Sequence, residues 1–347
     1  MERVLVAMSG GVDSSASLIL LSRMGYSPYG VTMELLNGIK GITPYTEKEA
    51  AYLCAKKAGA EFEAVDYSAD FENYVVKEFV SAYLDGETPN PCLLCNKYIK
   101  FGRLFEKADE LGIKYIATGH YARIEEKDGV FFLKKGADIK KDQSYVLCNL
   151  TQKQLSRLIF PLGGMTKEEI RSIASEAGLP NAEKKESQDI CFIKDTEYYS
   201  FVSEYSGITP PKGMFVDTNG KPVGVHLGSL RYTIGQRRGL GTGFGERMYV
   251  VSKNVKTNTV TLGSNSDLFS DTAVLKNVNI ISGVFPSEPF RASVKIRYQH
   301  KEQPASVVPN ADGTLKIKFD EPQRAISPGQ WGVIYDGDYV VGGGVIM

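Results

Sequence analysis

Ser9-Gly10-Gly11-Val12-Asp13-Ser14-Ser15 follows directly on the apolar run Val4-Leu5-Val6-Ala7-Met8. A short apolar run ending in a glycine pair reads as a buried strand closing in a tight turn. Residues 14–24 then carry helical spacing. Glycine at this turn lets the backbone approach a ligand with no Cβ in the way. The N–H groups of the opening helical turn, with their partial positive charge, face that ligand and form an anion site. The serine hydroxyls add donors, and Asp13 is placed to hold a magnesium ion that bridges phosphates. The lysine-bearing Walker spacing is absent, so this is a different kind of phosphate loop.

Strand candidates at residues 3–8, 29–33, 62–66 and 115–118 alternate with helices, which predicts an α/β fold. This order implies a mainly parallel, doubly wound sheet with ligand loops at the carboxyl ends of its strands. Thr46 with Glu49 reads as a capping box, and Gly59 closes the helix that follows. A long insert precedes the fourth strand, with helices expected over residues 69–84 and 93–111 around a Pro/Gly/Asn turn. A hairpin is expected at residues 121–125 and 130–134. Two further boxes, Thr151/Gln154 and Thr166/Glu169, start helices. From about Phe215 the chain changes to short β-branched runs separated by Asn-Gly, Asp-Gly and Pro-Gly pairs, the pattern of small barrels. The expected division is residues 1–199, 200–269 and 270–347.

The 347 residues are 42% apolar and 24% charged, a soluble globular composition. No run has the length of a membrane span and no signal-peptide pattern opens the chain, so a cytoplasmic protein with no membrane partner is expected. A net charge of zero gives no global case for a nucleic-acid partner. Local runs differ from that mean. Lys134, Lys135, Lys140 and Lys141 cluster, as do Arg231, Arg237 and Arg238, while Arg291, Lys295, Arg297 and Lys301 share a stretch without an acid. Such runs are solvated faces in most chains and nucleic-acid footprints in some.

Five cysteines are too few for a disulfide scaffold. Cys54 and Cys148 sit in apolar settings and read as core. Cys92-Leu93-Leu94-Cys95 follows Thr88-Pro89-Asn90-Pro91 at a helix start, where thiol pKa values are lowered and a thiolate is expected near neutral pH. Cys191 is a third candidate, remote in sequence. A structural zinc would want four ligands, and no second pair or nearby histidine completes the set.

The opening loop resembles the pyrophosphate loop of enzymes that split ATP between its α and β phosphates. Six further blocks extend the likeness: Thr88-Pro89-Asn90-Pro91, Leu94-Cys95-Asn96-Lys97, Ala117-Thr118-Gly119-His120-Tyr121, Lys141-Asp142-Gln143-Ser144-Tyr145, Ser187-Gln188-Asp189-Ile190-Cys191-Phe192 and Tyr232-Thr233-Ile234-Gly235-Gln236-Arg237. Together, in this order and nearly end to end, they resemble the tRNA-specific 2-thiouridylases (MnmA). The resemblance implies a pyrophosphate-loop ATPase domain, a small central domain and a C-terminal β-barrel that contacts tRNA. It implies replacement of the 2-oxo group of a wobble uridine by sulfur, with ATP and Mg2+.

By that match Ala7, Met8, Ser9, Gly10, Gly11, Val12, Asp13 and Ser14 cradle ATP, and Met33 and Gly119 contact adenosine. Cys95 is the nucleophile and Cys191 the persulfide carrier. Asn90, Pro91 and Cys92 touch the target base, while His120, Lys141, Asp142, Gln143, Arg297, Tyr298 and Gln330 contact tRNA. The implied partners are a tRNA with a wobble uridine and a sulfur donor, such as a cysteine desulfurase or a sulfur-relay protein; a monomer is expected.

The residue types suit that chemistry. The uracil 2-oxygen is a poor leaving group until adenylation turns it into AMP. A persulfide on Cys191 then attacks C2, and Cys95 resolves it, either by freeing the sulfur or through a covalent adduct, leaving a Cys95–Cys191 disulfide. The base must be everted into a pocket, and His120 positions the base or a phosphate, or else is a surface bystander. Two features depart from the family pattern: Cys92 stands where many members carry an acid, and the segment between Met33 and Thr46 is short. Cys92, Cys95 and Cys191 as ligands of a [4Fe-4S] cluster are therefore an alternative. Another function class is an amidating ligase that adenylates a carboxylate, which would have no use for two remote thiols; a third is an RNA-binding protein without catalysis.

Overall fold

The computed structural model describes residues 1–347 apart from 45–46, 185–189, 194–196 and 242–246. β1 (Arg3–Ala7), α1 (Val12–Arg23), β2 (Ser27–Glu34), α2 (Lys48–Lys57) and β3 (Glu61–Asp66) alternate as the apolar spacing predicts. Thr46, the expected cap of α2, lies outside the described residues, and Glu47 takes the cap position without a side-chain bond. Gly59, at φ +69°, makes the left-handed exit from α2.

The insert contains α3 (Ser68–Phe71), α4 (Lys77–Leu84), α5 (Pro91–Leu94) and α6 (Leu104–Glu110). Glu72–Val76 and Cys95–Arg103 join these pieces as π-helical turns, so both expected helices run through but are locally underwound. Such turns gather at functional sites, and the second begins at Cys95. Then follow β4 (Tyr115–Ala117), the hairpin β5 (Ala122–Lys127) and β6 (Val130–Lys135), α7 (Gln152–Leu155), β7 (Leu158–Ile159) and α8 (Lys167–Glu176). Thr151/Gln154 and Thr166/Glu169 both form full capping boxes. After α9 (Tyr198–Ser206) come β8 (Gly213–Val216), β9 (Pro222–His226), β10 (Tyr249–Asn254) and β11 (Thr259–Gly263). The chain finishes in β12 (Phe269–Ile280), β13 (Phe290–Lys295), β14 (Gln303–Pro309), β15 (Leu315–Arg324), β16 (Trp331–Asp336) and β17 (Tyr339–Ile346).

The first sheet has the order β3-β2-β1-β4-β7, with every pair parallel. Val4, Leu5 and Val6 are fully buried because helices cover both faces of β1, which explains the unbroken apolar run. The chain builds away from β1 on one side through β2 and β3, then crosses to β4 on the other. The glycine turn therefore leaves the carboxyl end of β1 at the switch point, where open α/β sheets bind ligands.

A second sheet has the order β10-β11-β8-β9. In the third, β12-β15-β14-β13-β16-β17 closes into a barrel through the β12–β17 pairing. The hairpin β6-β5 extends this sheet beyond β17, with Lys134 opposite Tyr339. The hairpin thus belongs in sequence to the first segment and in space extends the barrel sheet. The same union appears in the core, where Leu104, Ile116, Leu133 and Tyr145 pack in one cluster with Trp331, Val333 and Tyr335. Among the described residues no helix is long and apolar enough to cross a membrane.

Candidate active site

Gly10 has φ +70°, and a Cβ there would stand 2.5 Å from Glu47 Cβ and 2.8 Å from its carbonyl oxygen. This glycine is required by the fold itself. Gly11 differs: its φ is −87° and a Cβ would meet only Ser9 Oγ at 3.4 Å, so the space beside it is open. No side chain caps α1, which leaves the N–H groups of its first turn for a ligand. Ser14 and Ser15 donate their hydroxyls to Gly11 O, each at 3.0 Å, and Ser9 N donates to Ser14 Oγ at 3.1 Å. These hydroxyls shape the loop, with Ser14 and Ser15 buried and Ser9 exposed. Ala7, Met8 and Val12 are buried in the walls beneath, and Met33 lies half-buried on the neighbouring strand β2.

Asp13 Oδ1 accepts from Lys167 Nζ and from Tyr121 Oη, both at 2.7 Å. Lys167 is 5% exposed and begins α8, so the capping box at Thr166 aims a remote cation at the loop. Asn181 Nδ2 donates to Gly10 O and to Ser15 Oγ, both at 3.0 Å. Nothing in the sequence marks Lys167 or Asn181 as a loop residue, although the box at Thr166 locates the helix that carries Lys167. Gly119 faces the same turn from β4: a Cβ there would stand 2.9 Å from Ser14 N and 3.0 Å from Asp13 C.

The three candidate thiols come together. Cys92 and Cys95 stand one helical turn apart. Leu94 and Cys95 pack on the apolar cluster that holds Ile99, Phe79 and the neighbours of Cys191, namely Ile190, Phe192 and Ile193. Asn90 caps α5, its Oδ1 accepting from Cys92 N at 3.1 Å, and Pro91 occupies the first turn. The expected lowering of thiol pKa by the helix start is overturned. Burial pushes Cys95 up to about 11, with Lys100 opposing and Cys92 adding to the rise. Burial, then Cys95 and Cys92, push Cys191 up to about 12. Cys92 is raised by burial as well. Solvent reaches Cys92 and Cys191, yet the protein packed closely about them removes much of the hydration a thiolate needs. Cys54 and Cys148 are core residues, as expected.

His120 is buried, not a surface side chain. Its Nδ1 lies 2.7 Å from Thr118 Oγ1 and its ring packs between Phe101 and Phe160. Burial, helped by the charge of Lys100, holds its pKa well below the ordinary value, so the ring is neutral at neutral pH. The Lys100 charge thus lowers the pKa of His120 and opposes the rise at all three thiols. Its place in the site, too, has no signal in the sequence.

Of the residues assigned to tRNA by the resemblance, Asp142 and Tyr298 meet where the segment after the hairpin touches the barrel. Asp142 is buried and accepts from Gly136 N, Ser144 N and Ser144 Oγ at 2.9–3.1 Å, which gives it a local structural task. Gln143 bonds both backbone groups of Tyr121 at 2.9 and 3.0 Å. Tyr298 Oη donates to Asp142 O at 3.4 Å, and Arg297 Nη1 donates to Arg324 O at 3.5 Å. Lys141, next to Asp142, is half-buried. Gln330 holds Thr88, two residues before Asn90. The basic runs are partly neutralised, contrary to their sequence appearance. Lys134 pairs with Glu125, Lys135 with Glu302, and Arg291 binds both oxygens of Asp320, at 2.5–2.8 Å.

Among the described residues no three His, Cys, Asp or Glu side chains converge as a metal site. Cys92, Cys95 and Cys191 are all described, and in this arrangement they do not form a ready-made three-ligand site, so the structure adds no support to the three-thiol cluster alternative. Magnesium makes a smaller demand, one carboxylate plus substrate phosphates, and Asp13 at the loop suits it.

Family models match three consecutive stretches: the tRNA methyl transferase HUP domain over residues 2–195, the tRNA methyl transferase PRC-barrel domain over 199–264, and the aminomethyltransferase beta-barrel domain over 270–346. Among relatives, a tRNA-specific 2-thiouridylase MnmA of Clostridioides difficile (strain 630) is 45% identical, covering 99% of this chain and 98% of its own. One from Treponema denticola is 44% identical over 99% and 97% of the two chains. Another from Acetivibrio thermocellus is 42% identical over 100% and 99%. Identity of this extent, through all three parts of a chain whose first strand ends in the glycine loop, makes it a member of the tRNA-specific 2-thiouridylase (MnmA) family.

Proposed function

We propose that this chain installs sulfur at the 2-position of the wobble uridine of tRNA, using ATP and a cysteine persulfide. The observation that carries the reading is the packing of Cys95, distant in sequence, on the same apolar cluster as Ile190, Phe192 and Ile193, the residues that flank Cys191. An amidating ligase has no task for such a pair.

The open N–H groups of α1 and the space beside Gly11 receive the phosphates of ATP, with Asp13 and Lys167 oriented at the same turn. Magnesium, when bound there, spreads phosphate charge. The uracil 2-oxygen attacks the α-phosphorus and pyrophosphate leaves. The terminal sulfur of a Cys191 persulfide then attacks C2, and AMP departs with the C–O electron pair. Cys95, as thiolate, attacks Cys191 Sγ; the S–S bond breaks, its electron pair goes to the sulfur on C2, and a Cys95–Cys191 disulfide remains. A dithiol supplies the two electrons that reopen it. Burial holds both thiols above the ordinary range, so the thiolate is the minor form in the unfilled site. A protein that carries persulfide sulfur is the fitting donor, and a buried, neutral His120 at the end of β4 is a hydrogen-bonding group for an everted base.

The test is incubation with tRNA, ATP and a persulfide source, followed by electrophoresis in a mercury-containing gel. Retarded tRNA is expected from the unaltered chain and none from Cys95→Ser or Cys191→Ser, with ATP binding kept in both. Thiolation that persists in both variants overturns the assigned roles.

A further inference from the structure

Two tyrosines with no task in the proposed chemistry form a stack on the surface beside Cys95. Tyr74 lies in the π-helical turn Glu72–Val76, and Tyr98 lies in the turn Cys95–Arg103. Their ring centroids stand 4.9 Å apart, with 19° between the planes. Tyr98 packs on the apolar cluster that also holds Cys95 and Ile190, whereas Tyr74, 40% exposed, is the outer ring. That cluster is filled beneath them by the fully buried Val75, Val76, Phe79 and Ile99, so the core has little need of a second, exposed ring. Lys97 is exposed, and its Nζ stands 5.0 Å from the Tyr98 ring centroid. Lys77, exposed on the turn after Tyr74, donates to Asn73 Oδ1 at 2.7 Å. An open aromatic face with ammonium groups beside it is what single-stranded nucleic acid uses: the base stacks on the ring and a cation meets the phosphate.

We propose that Tyr74 and Tyr98 are a stacking platform for an unpaired anticodon-loop base adjacent to the wobble uridine, with Lys97 at the flanking phosphate. The inference rests on the thiolation reading above. Tyr98 follows Cys95 by three residues, less than one turn of the same helical segment. The platform therefore continues the site of Cys95, and the base it holds is a neighbour of the one that Cys95 serves. Everting the uridine costs the stacking between it and its neighbours. A neighbour restacked on the open side of Tyr74 offsets part of that loss and holds the loop in its opened form. Stacking reads a π face rather than a hydrogen-bonding edge, so the platform accepts any base at this position.

The experiment measures the affinity of the full chain for a fluorescent synthetic tRNA, intact or lacking the base 5′ or 3′ to the wobble uridine, and scores 2-thiouridine formation alongside. Tyr74→Ala should weaken binding of the intact tRNA by about fivefold to 150-fold, the equivalent of about 1–3 kcal/mol. Tyr74→Phe should bind as the unaltered chain does, and Tyr74→Leu, which keeps the bulk without the π face, should bind as Tyr74→Ala does. Removing one of the two flanking bases should cost the unaltered chain a similar factor and cost Tyr74→Ala nothing further. Lys97→Ala should make the salt dependence shallower by about 0.7 in log–log slope. Unchanged affinity in Tyr74→Ala, equal binding by Tyr74→Leu and Tyr74→Phe, or base-removal losses that add in full to the Tyr74→Ala loss, while the unaltered chain forms 2-thiouridine, overturns the platform alone. Absence of 2-thiouridine from the unaltered chain overturns the thiolation reading and the platform with it.

Discussion

Gln330, on the turn that precedes β16, donates its side-chain amide to the carbonyl oxygen of Thr88 at 2.8 Å, while Thr88 N donates to Pro328 O at 2.8 Å. Both backbone groups of Thr88 are therefore held by the barrel, two residues ahead of Asn90 and four ahead of Cys92. Between them Gly329 has φ +87°, and a Cβ there would stand 2.8 Å from Glu87 Cβ and 2.9 Å from Thr88 N. The barrel turn is thus locked onto the segment that leads to the thiols.

Gln330→Ala should remove one neutral hydrogen bond, about 1 kcal/mol of stability. Gly329→Ala should cost more, because left-handed backbone strain of about 1–2 kcal/mol adds to the contact with Thr88. Denaturant midpoints order the two variants, and 2-thiouridine formation should fall further in Gly329→Ala. Equal stability of both variants would show that the seam is loose.

Lys167→Met should weaken ATP binding while the chain stays folded. A hydrogen bond to a charged group is worth about 1.5–3 kcal/mol, or about tenfold to a hundredfold in affinity. Loss of the cation also leaves Asp13 repelling phosphate. Calorimetric titration with a non-hydrolysable ATP analogue measures this; unchanged affinity would place the nucleotide elsewhere.

Gly11→Ala and Gly119→Ala separate the cradle from the fold. At Gly11 the added methyl meets nothing closer than 3.4 Å, so stability should stay within about 0.5 kcal/mol while ATP affinity collapses. At Gly119 the methyl presses on the backbone of Asp13 and Ser14, and an overpacking cost of about 1–3 kcal/mol should accompany the lost affinity. Retained ATP binding in Gly11→Ala would remove the phosphates from this loop.

The pH dependence of thiol reactivity follows from burial. With Cys95 held up at about 11, its thiolate fraction should rise tenfold per pH unit throughout the neutral and mildly alkaline range. Iodoacetamide labelling of Cys95 in the unliganded enzyme should therefore climb without a plateau up to about pH 9. Lys100→Ala removes a charge that lowers this pKa and should slow labelling at a given pH. A plateau near pH 8 would mean that the thiolate is already formed in the resting site.

Local features are legible in the residues themselves. The run Val4–Ala7 followed by two glycines is a short-range pattern, and β1, the turn and α1 appear where it puts them. The boxes at Thr151 and Thr166 join residues three apart, so their formation depends on little else. Apolar settings likewise place Cys54 and Cys148 in the core. Composition and spacing carry such outcomes because the interacting groups are neighbours along the chain.

Other outcomes depend on contacts between remote segments. Lys135 reads as part of a basic run until the hairpin joins the barrel sheet and folding puts Glu302 against it. Lys167 reads as an ordinary residue of a helix start until α8 packs beside α1 and aims it at Asp13. Cys95 reads as acidic because a helix start favours a thiolate; tertiary packing against Ile99 and Phe192 desolvates it and wins. The sequence therefore carries the fold class and the identity of the reactive groups, whereas charge state, ion pairing and the joining of hairpin to barrel arise from folding, because desolvation and Coulomb interaction act through space and not along the chain.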